Sequence, residues 1–273
     1  MLNNGIDKEL GDYRFLNWSH KRNSSGTAGT FLKAYEIYDG KKLYYKMSDF
    51  DYHNGIIGHE CVNEIVCDRL LSILGIEHLS YRLLHALVTV DDREYDTYIC
   101  VSDNFKKPGE SKIALDDLYD IQKATDESRL DFCIRMGWED QIYSMLVADF
   151  LIMNRDRHGA NIEILKSGRN YRMAPLFDHG LSLLFSAHTE DAVRAFDPMA
   201  DIPVQSFLGS RSLYENLKLI PEDRSPMIRR LHEDDREYLL AGLKGIMPQQ
   251  HLDKIWETIW KRWAYYEDMR NKR

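Results

Sequence analysis

Residues 153–180 constrain this chain more than any other stretch. They read Met-Asn-Arg-Asp-Arg-His-Gly-Ala-Asn-Ile-Glu-Ile-Leu over 153–165, then a polar turn Lys-Ser-Gly-Arg-Asn, then Tyr-Arg-Met-Ala-Pro-Leu-Phe-Asp-His-Gly over 171–180. Asp156 stands five residues before Asn161, and Asp178 two before Gly180, with a short apolar run leading into each. Residues 162–165 alternate like a strand, 171–177 can partner them, and the polar turn closes a hairpin. Such a hairpin places Asn161 and Asp178 at its two open ends, close enough to share metal ions.

That spacing suits phosphoryl transfer. The transferred group passes through a loose transition state, so the protein mainly positions reactants and neutralises charge. One aspartate orients the acceptor hydroxyl, while an asparagine and a second aspartate hold Mg²⁺ against the phosphates. Asp156, Asn161 and Asp178 match these roles in that order.

Asp156-Arg157-His158-x-x-Asn161 followed by Phe177-Asp178-His179-Gly180 resembles the catalytic and metal-binding loops of the HipA-like serine/threonine kinases. The first string is also similar to phosphatidylinositol kinases, but Ala-Pro-Leu-Phe-Asp over 174–178 and Leu181-Ser182 after it are most similar to the HipA side. Arg155-Asp156 with Asn161 satisfies the looser string H-R-D-x-x-x-x-N, with Asn154 where its histidine would be. The resemblance implies an α+β, two-lobed protein-kinase-like fold. A small antiparallel-sheet N-terminal lobe with one helix would span 1–102, and a larger, mainly helical lobe 103–273. ATP and Mg²⁺ are the implied nucleotide and metal, and a protein serine or threonine hydroxyl the implied acceptor. The resemblance also implies an antitoxin-like partner protein.

The first hundred residues follow that order. Asn23 to Thr30 is a run of small and hydroxyl residues whose amides can approach phosphate oxygens, with Ser25, Gly26 and Thr27 at its centre. Ser24, Ser25 and Thr27 are implied autophosphorylation sites, since phosphate on such a loop repels nucleotide. Residues 31–38, the turn Asp39-Gly40 and residues 41–47 then read as a hairpin. Lys46 ends the second strand as the candidate nucleotide-phosphate lysine, with Lys33, Lys41 and Lys42 as solvated charges. A helix over 58–75 carries Glu60 and Glu64, one of which should pair with Lys46; the Asn-Glu-Ile-Val setting favours Glu64. Residues 81–90 and 95–101 form a second hairpin whose end, including Val101 and Ser102, is the candidate adenine hinge. An earlier strand is expected over 13–18.

Beyond the polar 103–112 segment the pattern turns helical, over 114–124, 126–136 and 138–153. Further helices are expected over 211–217, 226–231 and 234–247, with a last one from about Pro248. The aromatic face of that last helix, Leu252, Ile255, Trp256, Ile259, Trp263 and Tyr266, reads as core. No A-P-E string follows Gly180, so a conventional activation segment is not expected.

The chain's 273 residues and formal charge of −8 allow a substantial core and argue against general binding to nucleic acid or anionic membrane. Cys61, Cys67, Cys100 and Cys133 lack C-x-x-C spacing and read as reduced, structural thiols. With no apolar leader and no span long enough for a bilayer, a cytoplasmic protein is expected. Three other readings stand beside the protein kinase: a phosphoinositide-type lipid kinase, a nucleotide-binding regulatory module without turnover, and a metal hydrolase built on His158 and His179.

Overall fold

The structure is a computed structural model that describes residues 5–19, 31–51 and 53–271. Its first strand, β1 (Ile6–Asp12), precedes the aromatic 13–18 run. That run is turned instead, because the Asp12 carboxylate accepts from both the main chain and the guanidinium of Arg14. Leu16 drops into the core at 4% exposure. The loop residues Ser24, Ser25, Gly26 and Thr27 lie outside the described residues.

Turn chemistry builds the rest of the sheet. Asp39 and Gly40 both take positive φ, 49° and 72°, as a two-residue hairpin turn requires. They join β2 (Lys33–Tyr38) to β3 (Lys41–Met47), with Tyr38 opposite Lys41 and Lys33 opposite Lys46. A small ribbon, β4 (Phe50–Asp51) and β5 (Gly55–Ile56), leads into α1 (Glu60–Leu74), which Gly75 ends in the left-handed region. Asp91 and Asp92, also at positive φ, join β6 (Tyr81–Val90) to β7 (Arg93–Asp103). The strand order is β1-β6-β7-β3-β2, antiparallel except for β1 against β6. One face of this sheet meets α1, whose apolar residues join a core continuing into the C-terminal helices. The other face holds a smaller core around Tyr45, Met47, Ile99 and Val101.

The polar segment after β7 contains a strand that its composition hides, β8 (Ser111–Ala114). Then come α2 (Leu115–Gln122), α3 (Arg129–Arg135) and α4 (Glu139–Ile152), near the expected positions. β9 (Asp156–Arg157) and a 3-10 turn over Gly159–Asn161 form the loop that carries Asp156 and Asn161. β10 (Glu163–Ser167) and β11 (Asn170–Met173) form the expected hairpin, and β8 adds to its outer edge. After α5 (Glu190–Ala195), β12 (Gln205–Ser206) pairs with β9.

The remaining helices are α6 (Leu213–Leu217), α7 (Asp235–Leu240) and α8 (Gln249–Asn271). The helix expected over 226–231 is absent, and that over 234–247 shrinks to α7. The Arg229 amide donates to Leu74 O at the end of α1 rather than to a helical carbonyl. The aromatic face of α8 is buried, with Ile255 and Ile259 at 0% and Trp263 at 2% exposure. No helix among the described residues is long and apolar enough to cross a membrane.

His59, just before α1, is clasped by the C-terminal elements. Its Nε2 bonds Leu184 O at 3.0 Å, and the His188 and His251 rings stand 5.9 and 5.7 Å away. Burial first, then the His251 charge, lower the His59 pKa from 6.5 to about 4. The unfolded chain therefore takes up this proton before the folded one does, so stability falls as pH drops from 6.5 towards 4 and levels off below. The loss is at most about 3 kcal/mol. Urea unfolding between pH 7.5 and 4 should show it, and His59→Gln should flatten the profile.

Candidate active site

Lys46 sits at the floor of a cleft of about 420 Å³ between the sheet and the β10–β11 hairpin. Strand alternation turns it inward, and it is only 8% exposed. Its Nζ meets Glu64 Oε1 at 2.7 Å and Asp178 Oδ1 at 2.5 Å. Burial works against the Lys46 charge, but Asp178 and Glu64 outweigh it and raise its pKa well above the ordinary value. Burial likewise opposes ionisation of Glu64, while Lys46 and the His179 hydrogen bond hold its carboxyl below the usual range. The His179 amide donates to Glu64 Oε2 at 2.8 Å, so α1 is tied both to the lysine and to the loop carrying Asp178.

Glu60 does not share this pairing. It is buried, and its Oε2 accepts from the Asp49 amide at 2.9 Å, shaping the approach to α1. Both glutamates are therefore structural participants rather than exposed helix carboxylates.

Asp178 takes φ of 59°, a conformation that L-residues adopt at a cost. Its amide donates to the Tyr81 hydroxyl at 3.3 Å, one of the contacts that hold the turn. Burial raises its carboxyl, but Lys46 and Lys33 pull it well below the usual range, so it is ionised. Space is tight at Gly180. A Cβ there would stand 3.1 Å from both Lys46 Nζ and Glu60 Cβ, with the chain hemmed in by the ion pair.

In the β9 loop, Asn161 Nδ2 donates to Asp156 O at 2.9 Å and Asp156 Oδ2 at 3.1 Å. Both amide hydrogens are thus committed, leaving Asn161 Oδ1 for a cation. Asp156 Oδ1 is buried with no hydrogen-bond partner, and His158 Nε2 stands 3.4 Å away. Burial raises the Asp156 carboxyl above its ordinary value, against the opposing charge of His158. His158 Nδ1 accepts from the Ala160 amide and so shapes the 3-10 turn. His179 is buried against Glu64, its Nδ1 3.7 Å from Oε2, and among the described residues no three His, Cys, Asp or Glu side chains converge on a metal position.

Arg157 explains how the two loops are joined. Its guanidinium is 2% exposed, pairs with Asp149 at 3.0 Å, and donates to Asn161 O at 3.3 Å and Phe177 O at 3.1 Å. Asn154, in the place of the string's histidine, donates to the same Asp149 and accepts from the Asp156 amide. One buried ion pair thus sets the stems of both the Asn161 and Asp178 loops.

The two candidate hinge residues lie inside the sheet. Val101 is opposite Arg82 and Tyr45, and Ser102 opposite Tyr81 and Tyr44, so their main-chain groups belong to a sheet paired on both sides. The Val101 side chain packs into the smaller core, away from the cleft, and only Ser102 reaches its wall. In the segment beyond, Asp103 and Phe105 line the cleft and Phe105 lies 5.7 Å from the Phe177 ring.

Lys33, read from the sequence as a solvated charge, has a further contact that the sequence reading did not foresee. Although exposed, it lines the cleft and stands 3.7 Å from Asp178 Oδ2. The two-residue turn at Asp39-Gly40 already fixed its position opposite Lys46, and that register was the available signal.

No protein-family model and no curated protein sequence matches this chain. Among solved structures it is similar to the Helicobacter pylori proinflammatory kinase CtkA. Identity is 17% and the TM-score 0.57, over 94% of this chain and 95% of that one. HipA from a Shewanella oneidensis MR-1 toxin–antitoxin complex with HipB and operator DNA also matches. There the identity is 15% and the TM-score 0.43, over 91% of this chain and 60% of that one. The likeness to CtkA across nearly the full length of both chains shows that this chain has the two-lobed α+β fold of a kinase.

Proposed function

We propose that this protein is an ATP- and Mg²⁺-dependent, HipA-like kinase that phosphorylates a serine or threonine hydroxyl of a protein, with lobes divided at residues 102 and 103. The observation that carries the reading is the joint placement of an ionised Lys46–Glu64–Asp178 network at the cleft floor and an Asp156–Asn161 pair on the adjoining loop. Oxygen ligands suit Mg²⁺, which uses few protein groups and shares its remaining positions with phosphates and water. Asp178 and Asn161 Oδ1 fit that set. When bound, Mg²⁺ neutralises charge on the phosphate oxygens.

The chain's own residues supply the rest. Lys46, and Lys33 beside it, give up part of their hold on Asp178 to contact phosphate oxygens. Glu64 keeps Lys46 in place through that exchange. Asp156 Oδ1 orients the acceptor O–H and takes its proton, a role that suits a carboxyl whose pKa burial has raised. Phe105, Phe177 and Tyr81 make the cleft walls that exclude water from the nucleotide.

The test is transfer of label from γ-labelled ATP by purified protein, with and without host lysate, beside a phosphoinositide substrate. Label on protein serine or threonine that disappears on chelating Mg²⁺ is the expected result. Label on lipid alone would replace the acceptor, and ATP binding without turnover would remove the enzyme reading. Phosphosite mapping of the same sample decides whether Ser24, Ser25 or Thr27 is modified.

A further inference from the structure

A second hollow, of about 520 Å³, opens beside the cleft that holds Lys46, and Asp103 lines both. Lys41 and Lys42 line it from β3, and Lys106 and Lys107 from the segment after β7. Local bonds hold these two parts together. The Asn104 amide donates to Lys42 O at 3.2 Å, Asn104 Oδ1 accepts from the Lys106 amide at 3.1 Å, and the Lys107 amide donates to Glu110 Oε2 at 2.8 Å. Asp103 is the one acidic residue of the lining.

This concentration of positive charge runs against the balance of the chain, whose formal charge is −8. Among the described residues none of the four lysines is ion-paired. Like charges gathered in one hollow repel one another, and a bound polyanion relieves that repulsion.

Two tyrosines of β2 stand against the same lysines. The Lys42 ammonium lies 3.9 Å from the centre of the Tyr35 ring, and Tyr38 is the cross-strand partner of Lys41. Tyr35 is 61% and Tyr38 68% exposed, so both rings are open to a ligand.

We infer that this hollow and the exposed side of the β2–β3 hairpin bind single-stranded nucleic acid, with the four lysines on its phosphates and Tyr35 and Tyr38 against its bases. Charge alone would accept any polyanion. The rings narrow the choice, because an unpaired base offers its π-face to an aromatic side chain whatever the sequence, whereas a duplex keeps its bases stacked inside. An acidic protein segment supplies charge without a flat face for each ring. A major groove admits a two-stranded ribbon, but β2 and β3 belong to a five-stranded sheet and cannot enter one as a ribbon.

The test is fluorescence anisotropy of the full-length protein with a labelled oligouridine of about ten nucleotides, titrated over a salt series. Each phosphate contact to a single strand contributes about −0.7 to the slope of log affinity against log salt, so four lysines give a slope of about −3. Lys106→Gln with Lys107→Gln should make that slope shallower by about 1.4. Tyr35→Ala should weaken binding by about 5- to 10²-fold and leave the slope unchanged, while Tyr35→Phe keeps wild-type affinity. Saturating Mg-ATP should change affinity by no more than a few-fold, since the hollow lies beside the cleft rather than in it. The inference is overturned if the strand fails to bind at low salt, or if a duplex or a heparin fragment of equal charge binds as tightly. It is overturned equally if Tyr35→Ala binds as the wild type does, or if Mg-ATP displaces the strand. All of these readouts are binding, so they stand apart from whether the protein transfers phosphate.

Discussion

Asp156→Asn is expected to slow label transfer by roughly 10²- to 10⁴-fold, the usual range for a positioned general acid or base. The substitution preserves shape, and its amide oxygen can still accept the Asn161 hydrogen bond seen at 3.1 Å. What changes is the other oxygen. Asp156 Oδ1, which has no hydrogen-bond partner, becomes an amide that donates where an acceptor hydroxyl must donate. Nucleotide affinity should stay within a few-fold, because Lys46, Glu64 and Asp178 are untouched. Single-turnover transfer beside ATP titration separates the two quantities. A variant keeping a third of wild-type rate would remove Asp156 from the chemistry.

Asp149→Ala should be the most destabilising single change at the site, by about 3–5 kcal/mol, since it leaves the Arg157 guanidinium buried and uncompensated. Arg157 is 2% exposed, and Asp149 holds it through both carboxylate oxygens. For a chain of this size the melting temperature should fall by roughly 10 °C. The double variant Asp149→Leu, Arg157→Met offers a sharper comparison. Well-packed apolar replacements of a buried pair are often neutral in stability. Its melting temperature should therefore recover, while transfer stays low because Asn161 O and Phe177 O have lost their shared donor. Recovery of both would make the ion pair merely structural.

Much of the site was legible because its signals are local. The Asp39-Gly40 turn set the β2–β3 register, and with it Lys46 facing inward. The hairpin between Asn161 and Asp178 followed from alternation and a polar turn. Glu64 was correctly favoured over Glu60 as the lysine's partner. The errors arose where a segment's fate depends on a distant partner. β8 is polar by composition but exists because β10 offers it an edge. The 226–231 segment has helical composition, yet one of its amides finds a better acceptor at the end of α1. Only the sheet reveals that Val101 and Ser102, expected at the end of a hairpin, are paired on both sides.

The sequence by itself determined which groups carry charge and oxygen ligands, and the short-range spacings that place Asp156 near Asn161 and Lys46 on an inward strand position. Tertiary structure alone decided which carboxylate each cation meets. Lys33 reaches Asp178, and Arg157 joins two loops through Asp149, contacts spanning 145 residues or only eight along the chain. The reason is physical. Turns and alternation follow from dihedral preferences within a few residues, whereas burial of a charge is tolerable only beside the particular partner that folding brings to it.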